Sequence, residues 1–206
     1  MGIRQLALAG GFCFVAAGAA GAAAAQESVI RDIGFSVDAG TQVLYGEFDS
    51  ELPAENVFLI AAVVRGAYEV ETRSDLIDRI ALELEAMTGV NEGDVDASTG
   101  ADIFQVDFEA DVRLDYSFGA FAVLHADYSE NWGAHFRAGL NYAATSVTIR
   151  STLGTEEETE ETSFAPVIGT GLRRRLGKSS SLRFDLGYYW LADEYVAAGL
   201  AFSHRF

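Results

Sequence analysis

The sequence predicts an all-β chain: an eight-stranded antiparallel transmembrane β-barrel preceded by a cleaved signal peptide. Three observations carry this reading. The N-terminus is laid out as an export signal. Beyond it no apolar run approaches the ~20 residues that a spanning helix needs, although 50% of the chain is hydrophobic and only 2 residues are proline. Stretch after stretch then alternates with a period of two, apolar on one face and small or polar on the other. That is the pattern of a β-strand between unlike surroundings. Such a chain can still cross a membrane as a closed barrel, because every backbone group then pairs within the sheet.

Met1 to Gln5 carries Arg4, Leu6 to Ala22 is apolar and alanine-rich, and Ala23-Ala24-Ala25 before Gln26 is a small-residue cleavage site. Residues 1–25 are therefore read as the signal peptide and 26–206 as one barrel domain. Cys13 falls inside the signal, behind a Phe12 too bulky for lipoprotein processing. Residues 26–206 contain no cysteine, which excludes disulfides and thiolate chemistry there. The formal charge is −17, and the only charged side chain of the signal is Arg4, so the exported part is more acidic still. That argues against nucleic acid, which needs basic patches.

The elements follow in order. Val29 to Phe48 alternates, with Ile33, Phe35, Val37, Ala39, Val43 and Tyr45 opposite Asp32, Ser36, Asp38 and Gln42. Asp49 to Glu55 is a polar loop with Pro53. Asn56 to Val70 is a strand whose second face, Val57 to Val63, is also apolar until Arg65; a bulge there would shift its phase. Thr72 to Asp75 is a short turn. Leu76 to Met87 fits both a helical face and a strand, and the strand is favoured. Thr88 to Ala101 reads as a Gly/Asp-rich solvated loop, its acidic residues lacking the spacing of an EF-hand. Residues 102–127 show the clearest alternation and read as one long strand; a break at Ser117 to Gly119 would instead make two.

Ser129 to Gly133 is a tight turn and His135 to Arg150 the next strand. Ser151 to Thr162 reads as a very acidic loop. Ser163 to Leu176 and Leu182 to Leu191 are strands around a turn at Gly177 to Ser180. The last strand, Tyr195 to Phe206, has Val196, Ala198, Leu200, Phe202, His204 and Phe206 on one face. Eight is the smallest even number used by single-chain outer-membrane barrels, and nine would leave the termini on opposite sides. Tight turns after even-numbered strands and longer loops after the third and fifth match short periplasmic turns, with both termini in the periplasm.

Several stretches resemble the opacity-type, eight-stranded outer-membrane β-barrel superfamily, often described as porin-like. They are RIALELEAMTG (79–89), YSFGAFAVLHADYSENWGAHFRAGLNY (116–142), FAPVIGTGLRRRLGKSSSLRFDLGYYW (164–190) and the ending in Phe206. The resemblance implies the fold and a cell outer-membrane location. It implies no shared active site. It also implies that the C-terminal strand ending in Phe206 is recognised by the barrel-assembly machinery.

The inward faces are expected to carry Asp38, Arg65, Glu83, Glu85, Asp111, Arg113, Asp115, Arg137, Arg173, Arg183, Asp185 and Arg205. An eight-stranded barrel encloses a space that side chains fill, and buried charges must pair. The expectation is an Arg–carboxylate plug rather than a charged pore. Tyr45, Tyr142, Tyr188, Trp190 and Tyr195 are expected in the outer aromatic girdle, with Tyr128, Trp132, Phe136 and Phe206 at the periplasmic rim. Glu156, Glu157, Glu158, Glu160 and Glu161 would draw divalent cations that bridge to lipopolysaccharide, although diffuse counterions on a solvated loop are favoured. His125, Asp127, His135 and Ser129 superficially suggest a hydrolase triad, but no nucleophile motif surrounds Ser129.

No catalytic, cofactor-binding or metal residue is assigned. The expected role is structural or surface-interacting, in a non-enzymatic and monomeric barrel that contacts outer-membrane lipid and lipopolysaccharide. A small porin-like channel is the second reading and an outer-leaflet lipid-modifying enzyme the third.

Overall fold

The computed structural model describes residues 31–48, 55–72, 74, 76–99, 106–151, 156–190 and 194–206. The signal peptide expected over 1–25 lies outside the described residues. Nine strand segments run through the rest: β1 (Arg31–Phe48), β2 (Glu55–Glu71), β3 (Arg79–Gly89), β4 (Gly93–Thr99), β5 (Val106–Asp127), β6 (Trp132–Ser151), β7 (Glu156–Arg175), β8 (Ser180–Trp190) and β9 (Glu194–Arg205). Every pairing is antiparallel. The order is β3-β2-β1-β9-β8-β7-β6-β5-β4, and a β3–β5 pairing closes the ring. Because β3 and β4 pair with successive parts of β5, they are two halves of one stave. Nine segments therefore make eight staves. The last strand closes on the first, from Ser36↔Arg205 to Gly46↔Tyr195, as its alternation predicts.

The outward face is apolar and exposed. Phe35, Phe58, Leu82, Leu84, Phe118, Phe164 and Leu200 stand open on the wall, Phe164 at 68%. A water-soluble sandwich would bury this surface; a lipid belt needs it exposed. The start of β1, the end of β9 and the connections from β2 to β3, β5 to β6 and β7 to β8 gather at one end, called here the turn end. The opposite end is the loop end. At the turn end the register of β1 slips between Asp32 and Gly34. Gly34 has φ +117°, a backbone conformation costly for any residue with a Cβ.

The structure corrects four expectations. First, the strand favoured over 76–87 is present but runs from Arg79 to Gly89, and the loop expected over 88–101 contains β4. Asn91 makes the join: its Oδ1 accepts the Ile60 N–H at 2.5 Å and its Nδ2 donates to the Phe58 carbonyl at 3.2 Å. These bonds stand in for ladder bonds where the stave leaves β2. Second, the acidic loop expected over 151–162 contains the start of β7, paired from Arg150↔Glu156 to Thr145↔Glu161.

Third, 106–127 is one strand, but a bulge lies between Leu114 and Tyr116. The extra residue, Asp115, reverses the phase. Below it Ser117, Gly119, Phe121, Val123 and His125 face inward; above it Ala110, Val112 and Leu114 do. Asp111 and Arg113, expected inside, stand on the outer face. Fourth, Tyr195, expected in the girdle, is buried inside at 5% exposure.

Candidate functional site in the barrel interior

The interior is built in tiers. Toward the loop end lies an apolar tier from Leu44, Val57, Leu59, Val63, Met87, Val112, Leu114 and Tyr195, all buried. Its origin is the doubly apolar run Val57 to Val63, which keeps one phase throughout β2 and so needs no bulge. A cavity of about 10 Å³ lies in this tier, bounded by Leu44, Leu59, Met87, Leu114 and Tyr189 among others. That is the room of about one water-sized sphere.

Below it lies an ionic tier. Three guanidiniums, Arg65, Arg137 and Arg183, meet four carboxylates, Asp38, Glu83, Glu85 and Asp185. Arg65 Nε sits 2.5 Å from Glu85 Oε2 and its Nη1 3.0 Å from Asp185 Oδ2. Arg137 forks onto Glu85 at 2.8 and 2.9 Å and also donates to Glu83 Oε1 at 3.0 Å. Its guanidinium lies 3.8 Å from the centre of the Phe121 ring. Arg183 reaches Asp185 at 2.9 Å, Asp38 at 3.0 Å and Glu83.

Neutral groups complete the set. Tyr189 O–H donates to Glu85 Oε1 at 3.2 Å and accepts from Gln42 and Arg137, each at 3.1 Å. His135 Nε2 lies 2.8 Å from Asp185 Oδ1. These side chains are 0–6% exposed. A buried ion is costly alone and tolerable when its lone pairs and protons are met; here each charge but Asp38, which has Arg183 alone, meets at least two partners, and only Arg65 Nη2 among the guanidinium nitrogens of this tier is buried without one.

The remaining sites divide. Arg173 and Arg205 line the turn end with Arg79, Arg175, Glu69 and Asp127. Glu69, Arg79, Gln42, His135 and Tyr189 lay on the inward phase, yet charge patterning alone did not single them out. On the outer face near the loop end, Arg113 pairs with Asp115 at 2.9 Å, and Arg150 pairs with Asp111 and with Glu156 at 3.4 Å. The hydrogen bond to Asp115 and the charge of Asp111 raise the pKa of Arg113 and Arg150 respectively. Strand geometry splits the glutamate run: Glu156, Glu158 and Glu160 share one face, Glu157 and Glu161 the other. Among the described residues no three His, Cys, Asp or Glu side chains converge as a metal site.

The apparent triad does not assemble. Asp127 holds three guanidiniums, His135 holds Asp185, and Ser129 Oγ accepts the Trp132 N–H at 3.1 Å. His125 and His135 are cross-strand neighbours with ring centres 5.9 Å apart. In the girdles, Tyr45, Tyr142, Tyr128, Trp132, Phe136 and Phe206 are exposed as expected, and Tyr188 meets Trp190 edge to face at 4.6 Å.

Neither a protein-family model nor a curated protein matches the chain. Solved structures do. Neisserial surface protein A is similar over 85% of this chain and 99% of its own, at 15% identity and TM-score 0.52. With the ring closed and the apolar belt outside, this likeness decides the architecture. The fold is that of an eight-stranded outer-membrane β-barrel. The attachment invasion locus protein Ail of Yersinia pestis is similar over 84% of this chain and 97% of its own, at 12% identity and TM-score 0.48. The N-terminal domain of Pseudomonas aeruginosa OprF gives 84%, 99%, 12% and 0.42 in the same order. At these identities the shared property is the fold.

Proposed function

We propose that this chain is a non-enzymatic outer-membrane barrel whose interior is closed and whose work is structural or surface-interacting. The supporting observation is the interior itself: an ionic tier of three guanidiniums and four carboxylates beneath an apolar tier of buried side chains around a cavity of about 10 Å³. Export through residues 1–25, periplasmic placement of the turn end and display of the loop end outside complete the reading. Outer-membrane lipid and lipopolysaccharide are its surroundings, divalent cations its counterions at 156–161, and a monomer its working form.

The test is conductance in planar bilayers. The closed interior predicts no stepwise current from wild type. A steady ohmic current, altered by replacing Arg137 or Arg183, would make the chain a small channel. A change in lipid A mass on expression would make it a lipid-modifying enzyme.

A further inference from the structure

The cavity at the turn end has a lining opposite in charge to the ionic tier, four cations (Arg173, Arg175, Lys178 and Arg205) against two carboxylates (Glu69 and Glu130). Four guanidiniums there share two inward carboxylates. Asp127 takes Arg79 at 3.2 Å, Arg173 at 3.0 Å and Arg175 at 2.5 Å. Glu69 takes Arg79 at 2.8 Å and Arg205 at 3.4 Å. Lys178, in the turn between β7 and β8, has no ion pair among the described residues. The exposed Glu130 on the rim offsets one of these charges, and Glu71 and Asp78 line the adjoining cavity with Arg79, Asp127, Arg175 and Arg205.

The charges are also segregated. Asp127 stands on β5 and Glu69 on β2, whereas the wall from β7 to β9 presents only arginine and serine at this level. Arg175 is opposite Ser181, Ser181 is opposite Ser203, and Arg205 is opposite Ser36. A cavity of about 520 Å³ opens against that wall, lined by Arg173, Arg175, Lys178, Arg205, Ser181 and Ser203 among others. Arg173 and Ser181 are only 7% and 8% exposed. Arg173 nevertheless gives a single nitrogen to Asp127, and its other nitrogens remain available to the cavity.

We infer that this vestibule binds a small, multiply charged oxyanion of the phosphate type. The guanidinium fork matches two oxygens of a tetrahedral anion, and serine hydroxyls donate to the others. Four cations against two carboxylates in the lining of this cavity favour a polyanion over chloride. The strands themselves separate the cavity from the bilayer, so the anion arrives from the aqueous side, free or on a soluble molecule, and not as a lipid headgroup. This inference rests on the interior alone and holds whichever way the barrel faces.

The experiment uses the folded barrel in a maltoside detergent, which carries no phosphate, with inorganic pyrophosphate titrated by calorimetry at low ionic strength. Saturable 1:1 binding is expected. Each of Arg205→Gln, at the end of β9, and Lys178→Gln, in a turn, should weaken it about tenfold or more, the worth of one charge-assisted hydrogen bond. Arg174→Gln should leave it unchanged, because that guanidinium lies outside the wall, 5.4 Å from the centre of the Trp132 ring. Gel mobility without boiling reports that each variant is folded. Absence of saturable binding at millimolar pyrophosphate overturns the inference. So do affinities that R205Q and K178Q leave unchanged, or that R174Q lowers equally. Displacement by a short-chain phospholipid but not by orthophosphate overturns the aqueous origin.

Discussion

Replacing Arg137 with methionine tests the ionic tier most directly. Methionine keeps the length and the packing on Phe121 but removes four hydrogen bonds: one to Glu83, two to Glu85 and one to Tyr189. Glu85 then keeps Arg65 at 2.5 Å and the Tyr189 hydroxyl, and Glu83 keeps Arg183. Two guanidiniums would face four carboxylates, all buried. Removing one partner of a buried pair costs about 3–5 kcal/mol. R137M should therefore lose about that much in urea unfolding from phospholipid vesicles, followed by the fluorescence of Trp132 and Trp190. Adding Glu85→Gln removes the orphaned charge and keeps a partner for Tyr189. The double variant should recover about 2 kcal/mol relative to R137M, within the range of coupling for contacting residues. An R137M barrel within about 1 kcal/mol of wild type, or a double variant no more stable than the single, would refute the idea that these charges depend on one another.

Three further outcomes follow from the geometry. The phase reversal at Asp115 predicts that cysteine placed at Asp111 or Arg113 reacts with a membrane-impermeant maleimide, whereas cysteine at Val112 resists; the opposite pattern would remove the bulge. Gly139→Ala should cost about 2–3 kcal/mol by overpacking, since its Cβ would lie 2.0 Å from the Ala120 carbonyl oxygen. Gly177→Ala, with nothing within 4 Å, should change the urea midpoint negligibly. Deleting Phe206 removes the 3.0 Å bond from its N–H to the Phe35 carbonyl, worth about 1 kcal/mol. It should lower assembly in cells far more than it lowers the stability of refolded barrel; equal assembly would leave Phe206 a structural role only.

Alternation makes most of the barrel readable, because lipid outside and a crowded interior impose opposite demands on successive residues. It fails where that contrast is absent. Nothing in Leu114-Asp115-Tyr116 interrupts the alternation, so the bulge is invisible until β6 supplies the register. Gly93 to Thr99 has the composition of a loop and becomes a strand only because β5 offers an edge. The glutamate run from 156 to 161 is likewise drawn into the sheet by Thr145 to Arg150. Tyr195 reads equally well in a girdle or a core. Of the twelve charges expected inside, Asp111 and Arg113 were lost to the bulge, which leaves Asp115 at its turning point. The pairing of the others could not be read, since Arg183 and Glu83 lie 100 residues apart.

Arg65 meets Glu85 and Glu83 across the neighbouring β2 and β3, and Arg183 and Asp185 share β8, but the other pairs of the ionic tier skip at least one stave. Arg137 on β6 reaches β3 past β5, Arg65 on β2 reaches Asp185 on β8, and Arg183 on β8 reaches Glu83 on β3, half the circumference away. They act as spokes across a wheel. A hairpin gains nothing from them; they tighten only once the rim has closed, and then they hold its cross-section against flattening. The last step of folding is thus also the step that makes the barrel rigid, and opening any one seam between staves slackens every spoke at once.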